Sequence, residues 1–233
     1  MLALRYLFAV AASALVGCGS LIDPNVAAVD LTLSSQEFAV DIDALGVGDV
    51  GAVSATPCTG QPSACGDAAL LACPDGACSA TCNEVSGTCD VAIKVVLSRT
   101  IDLQAERPEL ASIDANAFVS VEIERLQYQI ADNTLTVATP EFGMYAAPVT
   151  VMDPDDPAAG FVASMPAVAP MEVVPITDMT TDSAGLAHLS DAMIDFKTPF
   201  AIIVAGEILV DSQTAVPSGT ASVRVLITAS ASL

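Results

Sequence analysis

Between positions 58 and 89 the chain places six cysteines, Cys58, Cys65, Cys73, Cys78, Cys82 and Cys89, in a stretch rich in Gly, Ala, Ser and Pro. Residues 56–90 hold few large apolar side chains, so burial alone cannot fold them and cross-links must stand in for a core. Six is an even number, and three disulfides are the expected use of such cysteines in an oxidising compartment. Every pairing stays open. A bridge closing the whole Cys58 to Cys89 loop would stabilise the segment by about 3–4 kcal/mol through chain entropy. Zinc or an iron–sulfur cluster is the competing use, but the stretch has no C-x2-C pair and no nearby histidine, so it reads as staples. The segment is expected to be an insertion between two strands, projecting from one end of a domain. Loops of that length are functional or stapled, and this surface has the best claim to a partner site.

Around this segment the chain alternates. Hydrophobic residues make up 53% and charged residues 15% of 233 residues, enough for a sizeable core and too apolar for disorder. Val29, Leu31 and Leu33 alternate with polar residues, and Phe38, Val40 and Ile42 do so in the opposite phase. The switch at Ser34-Ser35-Gln36 predicts a bulge or turn between two strand segments. Val91, Ile93, Val95, Leu97, Ile101 and Leu103 form one strand face; Arg99 interrupts it, so the strand bends there or runs beyond the core. Pro108 to Ala117 reads as a polar loop or one helical turn. Val119, Val121 and Ile123 give way to Leu126, Tyr128 and Ile130, which predicts a bulge near Arg125. Asp132-Asn133 is a turn pair, with Leu135 and Val137 expected to start the returning strand of a hairpin. Residues 148–182 are punctuated by prolines and should supply edge strands and connections. Ser183 is the expected cap of a helix carrying Leu186, Leu189 and Met193, the one helix the pattern supports. Phe200 to Val210 reads as a buried strand interrupted at Gly206, and Val223, Val225 and Ile227 mark the closing strand. With no repeat and no sharp linker, residues 26–233 read as one all-β domain. The expected architecture is an antiparallel two-sheet β-sandwich, immunoglobulin-like in outline, with one short helix and the disulfide-rich insertion.

The amino-terminal segment has the layout of an export signal: Arg5, an apolar run from Leu7 to Val16, and small or aliphatic residues before Cys18. The run is shorter than the roughly 20 residues needed to cross a hydrocarbon core. Leu15-Val16-Gly17-Cys18 resembles the lipobox of bacterial lipoprotein precursors. That resemblance implies a signal peptide over residues 1–17, an acylated Cys18 as the mature first residue, a tether over 18–25, and membrane lipid as a partner. Several acyl chains would hold the protein stably where a single chain gives only marginal binding. Members of that family use Asp after the cysteine to mark inner-membrane retention; Gly19 therefore implies the outer membrane. Losing Arg5 with the signal takes the net charge from -21 to about -22. Such a surface repels phosphate backbones, which excludes nucleic acid, and favours cationic partners or loosely held divalent ions. Trp is absent and aromatics are 4%, against a stacked carbohydrate platform.

Catalytic chemistry finds little footing. His188 is the only histidine, and Ser183, Ser190 and Asp191 beside it on one helix cannot supply the separated roles of a triad; a solvated or capping histidine is expected. The cysteines are expected as disulfides, not nucleophiles. Gly46-Val47-Gly48-Asp49-Val50-Gly51 matches G-x-G-x-x-G by letter, but no amphipathic helix is expected after it, so it reads as a Gly-rich loop. Met144, Met152, Met165, Met171 and Met179 are irregularly spaced and read as core filling instead of a copper site. Loop carboxylates are the weak metal candidates: Asp153, Asp155 and Asp156, and Asp41, Asp43 and Asp49. Ca2+ takes about 6–8 oxygens, and neither group has the EF-hand spacing. The sequence thus points to a lipid-anchored cell-envelope protein, not an enzyme, that acts as a structural or interaction module beside another envelope protein. The alternative is an envelope binding protein for a small ligand or Ca2+, using a sandwich cavity or the acidic loops.

Overall fold

The computed structural model describes residues 29–45, 49–73, 76–114, 120–214 and 216–232. Cys18, the expected signal over 1–17 and the tether over 18–25 lie outside the described residues, as do Gly46, Val47, Gly48 and Val119.

Alternation builds the first sheet. In β11 (Thr220–Ser232) every second residue from Ala221 to Ala231 is buried, as a period of two requires when one face meets the core. β5 (Ser120–Asn133) pairs with one edge of β11; β1 (Val29–Asp30) and β2 (Gln36–Asp41) share the other, with Val29 opposite Ala231 and Gln36 opposite Val225. Between β1 and β2 the Leu31 and Leu33 amides donate to the Ala229 and Ile227 carbonyls. The buried positions then pass from odd to even numbers, the switch expected at residues 34–36. The second expected bulge is present too. Arg125 lies opposite Thr228 but Ile123 lies opposite Ala229, leaving Glu124 as the extra residue. β8 (Val174–Asp178) completes this five-stranded sheet beyond β5.

The second sheet runs β3 (Cys78–Asn83), β4 (Thr88–Ile101), β10 (Phe200–Val210), β6 (Phe142–Pro148), β7 (Gly160–Met165) and β9 (Thr180–Thr181). Its ladders are antiparallel. The two sheets enclose one apolar core in which Phe38, Val40, Ile93, Val95, Tyr128, Ile130, Val204, Val225 and Ile227 meet. Each such aliphatic side chain contributes about 1.5–3 kcal/mol by leaving water. The protein is thus an all-β, antiparallel two-sheet sandwich. The continuous apolar run of β10 has a separate cause. Ile202 and Val204 face that core, while Ile203 and Ala205 pack with Ala147 outside it, flanked by Val151 and Ala159 of the connection from β6 to β7. Both faces of β10 are covered from Phe200 to Ala205, whereas Glu207 and Leu209 beyond it are exposed.

Several elements differ from expectation. Asp132-Asn133 does not open a hairpin. The Asn133 side chain accepts from the Leu135 amide and donates to the Ala169 and Glu172 carbonyls, while the Thr134 and Thr136 amides bond to Thr220 and Ser218. The chain keeps its direction and crosses to β6 in the other sheet. β10 is not interrupted at Gly206, which pairs with Val95. The glycine admits the crossing chain: a Cβ there would sit 2.7 Å from the Glu141 carbonyl oxygen. Leu103 leaves the strand for a four-residue helix, α3 (Leu103–Glu106), because the Asp102 carboxylate caps the Gln104 and Ala105 amides. β4 itself runs through Arg99 to the buried Ile101, and Arg99 donates to the Glu37 carbonyl across the sandwich. A 3-10 turn begins at Pro108, as anticipated. The expected helix is α4 (Ser183–Ile194), but its cap is Asp182, whose carboxylate accepts from the Gly185 amide. α4 packs on β5, β6 and β7 and therefore spans both sheets at one end of the sandwich.

Candidate functional site

The cysteine-rich segment is the part of the molecule with its own construction. Asp49 caps α1 (Val50–Ser54), accepting from the Ala52 amide, and Val50 and Val53 are buried. A helix therefore does begin within the Gly-rich stretch, contrary to expectation, but it is only five residues long. Pro57 forms a bridge with Thr88, and the Cys58 amide donates to the Gly87 carbonyl. α2 (Ser63–Ala72) follows, and then β3 turns into β4 through Glu84 to Gly87, where the Asn83 side chain accepts from the Val85 and Ser86 amides.

Three disulfides form, as the even count predicted. They join Cys58 to Cys82, Cys65 to Cys89 and Cys73 to Cys78. The first two span 24 positions each and the third spans 5, which corresponds to about 3.5 kcal/mol for each long bridge and about 2 for the short one by chain entropy. The first two tie the α2 segment onto the β3–β4 hairpin. The segment is accordingly not a projecting loop: it supplies the edge strand of the six-stranded sheet and a helix packed upon it. Helix α2 escaped the sequence reading because its buried residues are Cys65 and Ala69, which leave no apolar stripe.

The lobe's outer surface is apolar at three points. Leu70 and Leu71 on α2 are 69% and 87% exposed, and Val85 at the hairpin tip is 99% exposed. A hollow of about 700 Å3 opens between Cys58, Gly60, Ser63, Thr81, Cys82 and Glu84. Behind it the sulfurs of Cys58, Cys65 and Cys82 lie within 4.8 Å of one another. All three are bonded in disulfides, so none is a thiolate ready to hold a metal.

The other residues singled out from sequence fall elsewhere. Asp153 and Asp155 are brought together, at 3.2 and 3.0 Å from the Lys94 ammonium. The Asp155 backbone amide, followed by Lys94, holds the Asp153 carboxyl below its ordinary range; Asp155 and then Asp153 raise the Lys94 ammonium above its own. Asp156 accepts from the Ala158 amide. Lys94 is thus the cation that Asp153 and Asp155 share. Asp41 accepts from the Asp43 and Ala44 amides, and Asp49 serves as a helix cap. His188 is exposed, in keeping with the solvated histidine expected; its Nε2 lies 3.1 Å from the Ala146 carbonyl oxygen and its ring rests on Gly160. Among the described residues it has no hydrogen bond to Ser183, Ser190 or Asp191. Met144, Met165 and Met179 fill the core as expected, whereas Met152 and Met171 are exposed. One arrangement went unread in sequence. His188, Asp191 and Asp195 line a groove of about 360 Å3 with Pro148, Val149 and Phe200, built where α4 meets the ends of β6 and β10. Against known proteins, the chain matches no family model and no curated sequence.

Proposed function

We propose that the protein is a lipid-anchored component of the bacterial cell envelope that presents its disulfide-stapled lobe to another envelope protein. The observation that carries this reading is the exposure of Leu70, Leu71 and Val85 on a frame held by three cross-links. Exposed aliphatic side chains in a rigid setting bind with little loss of conformational freedom, which is what recognition by a preorganised surface requires. The lipobox at Leu15-Val16-Gly17-Cys18 supplies the anchor, and Gly19 favours the outer membrane. Six cysteines that all find partners suit the oxidising compartment such an anchor implies.

The test uses two variants of the full chain in a bacterial host. Cys18→Ser should leave the chain unacylated and its signal uncleaved, as read from the mass of the amino-terminal peptide. Leu70→Asp with Leu71→Asp should keep the protein on the membrane and remove its partner from envelope pulldowns. An unchanged partner set in the second variant would exclude the lobe as the recognition surface. A second reading, an envelope binding protein for a small ligand, draws support from the groove at His188, Asp191 and Asp195. The acidic-loop form of that reading has less, because Lys94 already pairs with both Asp153 and Asp155.

A further inference from the structure

The two long bridges of the lobe abut. Of their four cysteines, Cys58, Cys65 and Cys89 are buried, whereas Cys82 is half-buried and lines the 700 Å3 hollow together with Cys58. The Sγ atoms of Cys58 and Cys65, which belong to different bridges, lie within 4.8 Å. Cys82 and Cys89, also from different bridges, are direct partners across the β3–β4 ladder. Opposed residues in an antiparallel ladder have Cα atoms about 4.5–5.5 Å apart, inside the span that a disulfide bridges. The same four sulfurs therefore allow a second complete pairing, Cys58–Cys65 with Cys82–Cys89, since the sulfurs of the first pair are already close and the second pair is opposed across the ladder.

We propose that the Cys58–Cys82 bridge is a site of thiol–disulfide exchange, where the thiolate of a small thiol or a thiol-bearing isomerase switches the lobe between these two pairings. The thiolate enters the hollow and attacks Cys82 Sγ. A mixed disulfide forms there, the bond to Cys58 breaks, and Cys58 leaves as thiolate. Cys58 Sγ then attacks Cys65 Sγ, forming Cys58–Cys65 and releasing Cys89 as thiolate. Cys89 Sγ attacks Cys82 Sγ of the mixed disulfide, forming Cys82–Cys89 and returning the incoming thiolate. Two disulfides enter and two leave, so the exchange needs a catalyst and no net reductant. Its consequence is mechanical. In the described pairing two bridges fasten the α2 segment to the hairpin; in the exchanged pairing both bridges are local, and Cys73–Cys78 alone links helix to hairpin. The inference concerns the lobe's covalent state and does not rest on its having a protein partner.

Cleavage on the amino side of aspartates distinguishes the pairings, because it yields peptides 49–66, 67–74 and 75–89. In the described pairing 49–66 is joined to 75–89 through both long bridges. In the exchanged one 49–66 is released with an internal bridge. The full-length protein is held in a glutathione redox buffer, alkylated, digested and read by mass spectrometry. The released 49–66 is expected to rise at least roughly tenfold over untreated protein, at a rate, though not to a final extent, proportional to the thiolate present. Persistence of 49–66 solely in its linkage to 75–89, or glutathione held on Cys82 with no release, would overturn the proposal. Cys82→Ser isolates the second step. The alkyl label is expected on Cys89 as well as Cys58; a label confined to Cys58 would show that Cys58 does not reach Cys65.

Discussion

The sandwich and the stapled lobe are both β-structure on one chain, yet different physics holds them. Around β10 and β11 the side chains are large, apolar and fully buried, and the stability is spread over many small transfer terms. In the lobe five of the buried residues are cysteines: Cys58, Cys65 and Cys89 cluster beside Ala80, Cys73 and Cys78 join Ala69 at the edge of the main core, and three covalent links carry much of the load. A core of the first kind resists local change because its parts support one another. A region of the second kind can expose Leu70, Leu71 and Val85 without unfolding, since bridges do not depend on hiding apolar surface. The lobe is thus the place where a binding surface costs the fold least.

That contrast can be broken in graded ways. Ile202→Ala, at a fully buried position of β10, should lower global stability by about 4 kcal/mol, since a rigid core closes little of the cavity it leaves. Hydrogen exchange should then rise in both sheets and in the lobe attached to β4. Cys65→Ser with Cys89→Ser should cost about 3 kcal/mol, felt mainly as faster exchange in α2 and β3. If β11 loses protection equally in that double variant, the two regions are one cooperative unit and the distinction fails. The smallest effect belongs to the Lys94 cluster. The Asp153 carboxyl titrates lower in the folded protein than in the unfolded chain, so its contribution is present above the ordinary carboxylate range and is lost as pH falls through the folded value. Lys94 titrates higher when folded, so its contribution is present at neutral pH and is lost as pH rises through the folded value. Lys94→Met should therefore lower the melting midpoint slightly at neutral pH, less than either change above, with the difference shrinking in acid. Equal differences at both pH values would mean that Lys94 acts through packing alone.

Sequence reading succeeded where one periodicity dominated. The two phase switches, at 34–36 and at Arg125, were visible because a slip of one residue exchanges buried and exposed positions. It failed where polar side chains decide the path. Asn133 looked like a turn residue, but its amide ties the chain to Ala169 and Glu172 and lets it run on. Asp49 and Asp102 start helices too short to show a pattern. The pairing of Cys58 with Cys82 depends on where α2 meets the hairpin, which spacing alone does not encode. The groove at His188 and the Lys94 pair with Asp153 join residues 40 or more positions apart, and nothing local announces them.

The pairing of Val29 with Ala231 also sets a height. β1 lies at the far end of β11, while α1 abuts the approach to its near end, where a Cβ on Gly51 would meet Val216. From Ala231 back to Thr220 a strand rises about 3.3 Å per residue, so the two ends stand roughly 35 Å apart. If Cys18 carries the proposed anchor, the chain reaches the sandwich at its Val29 end. The lobe would then ride at the top of a rigid post, facing away from the bilayer and close to whatever layer lies above it. On the same anchor, the Ser232 end of β11 would instead stand beside the membrane, at the foot of that post.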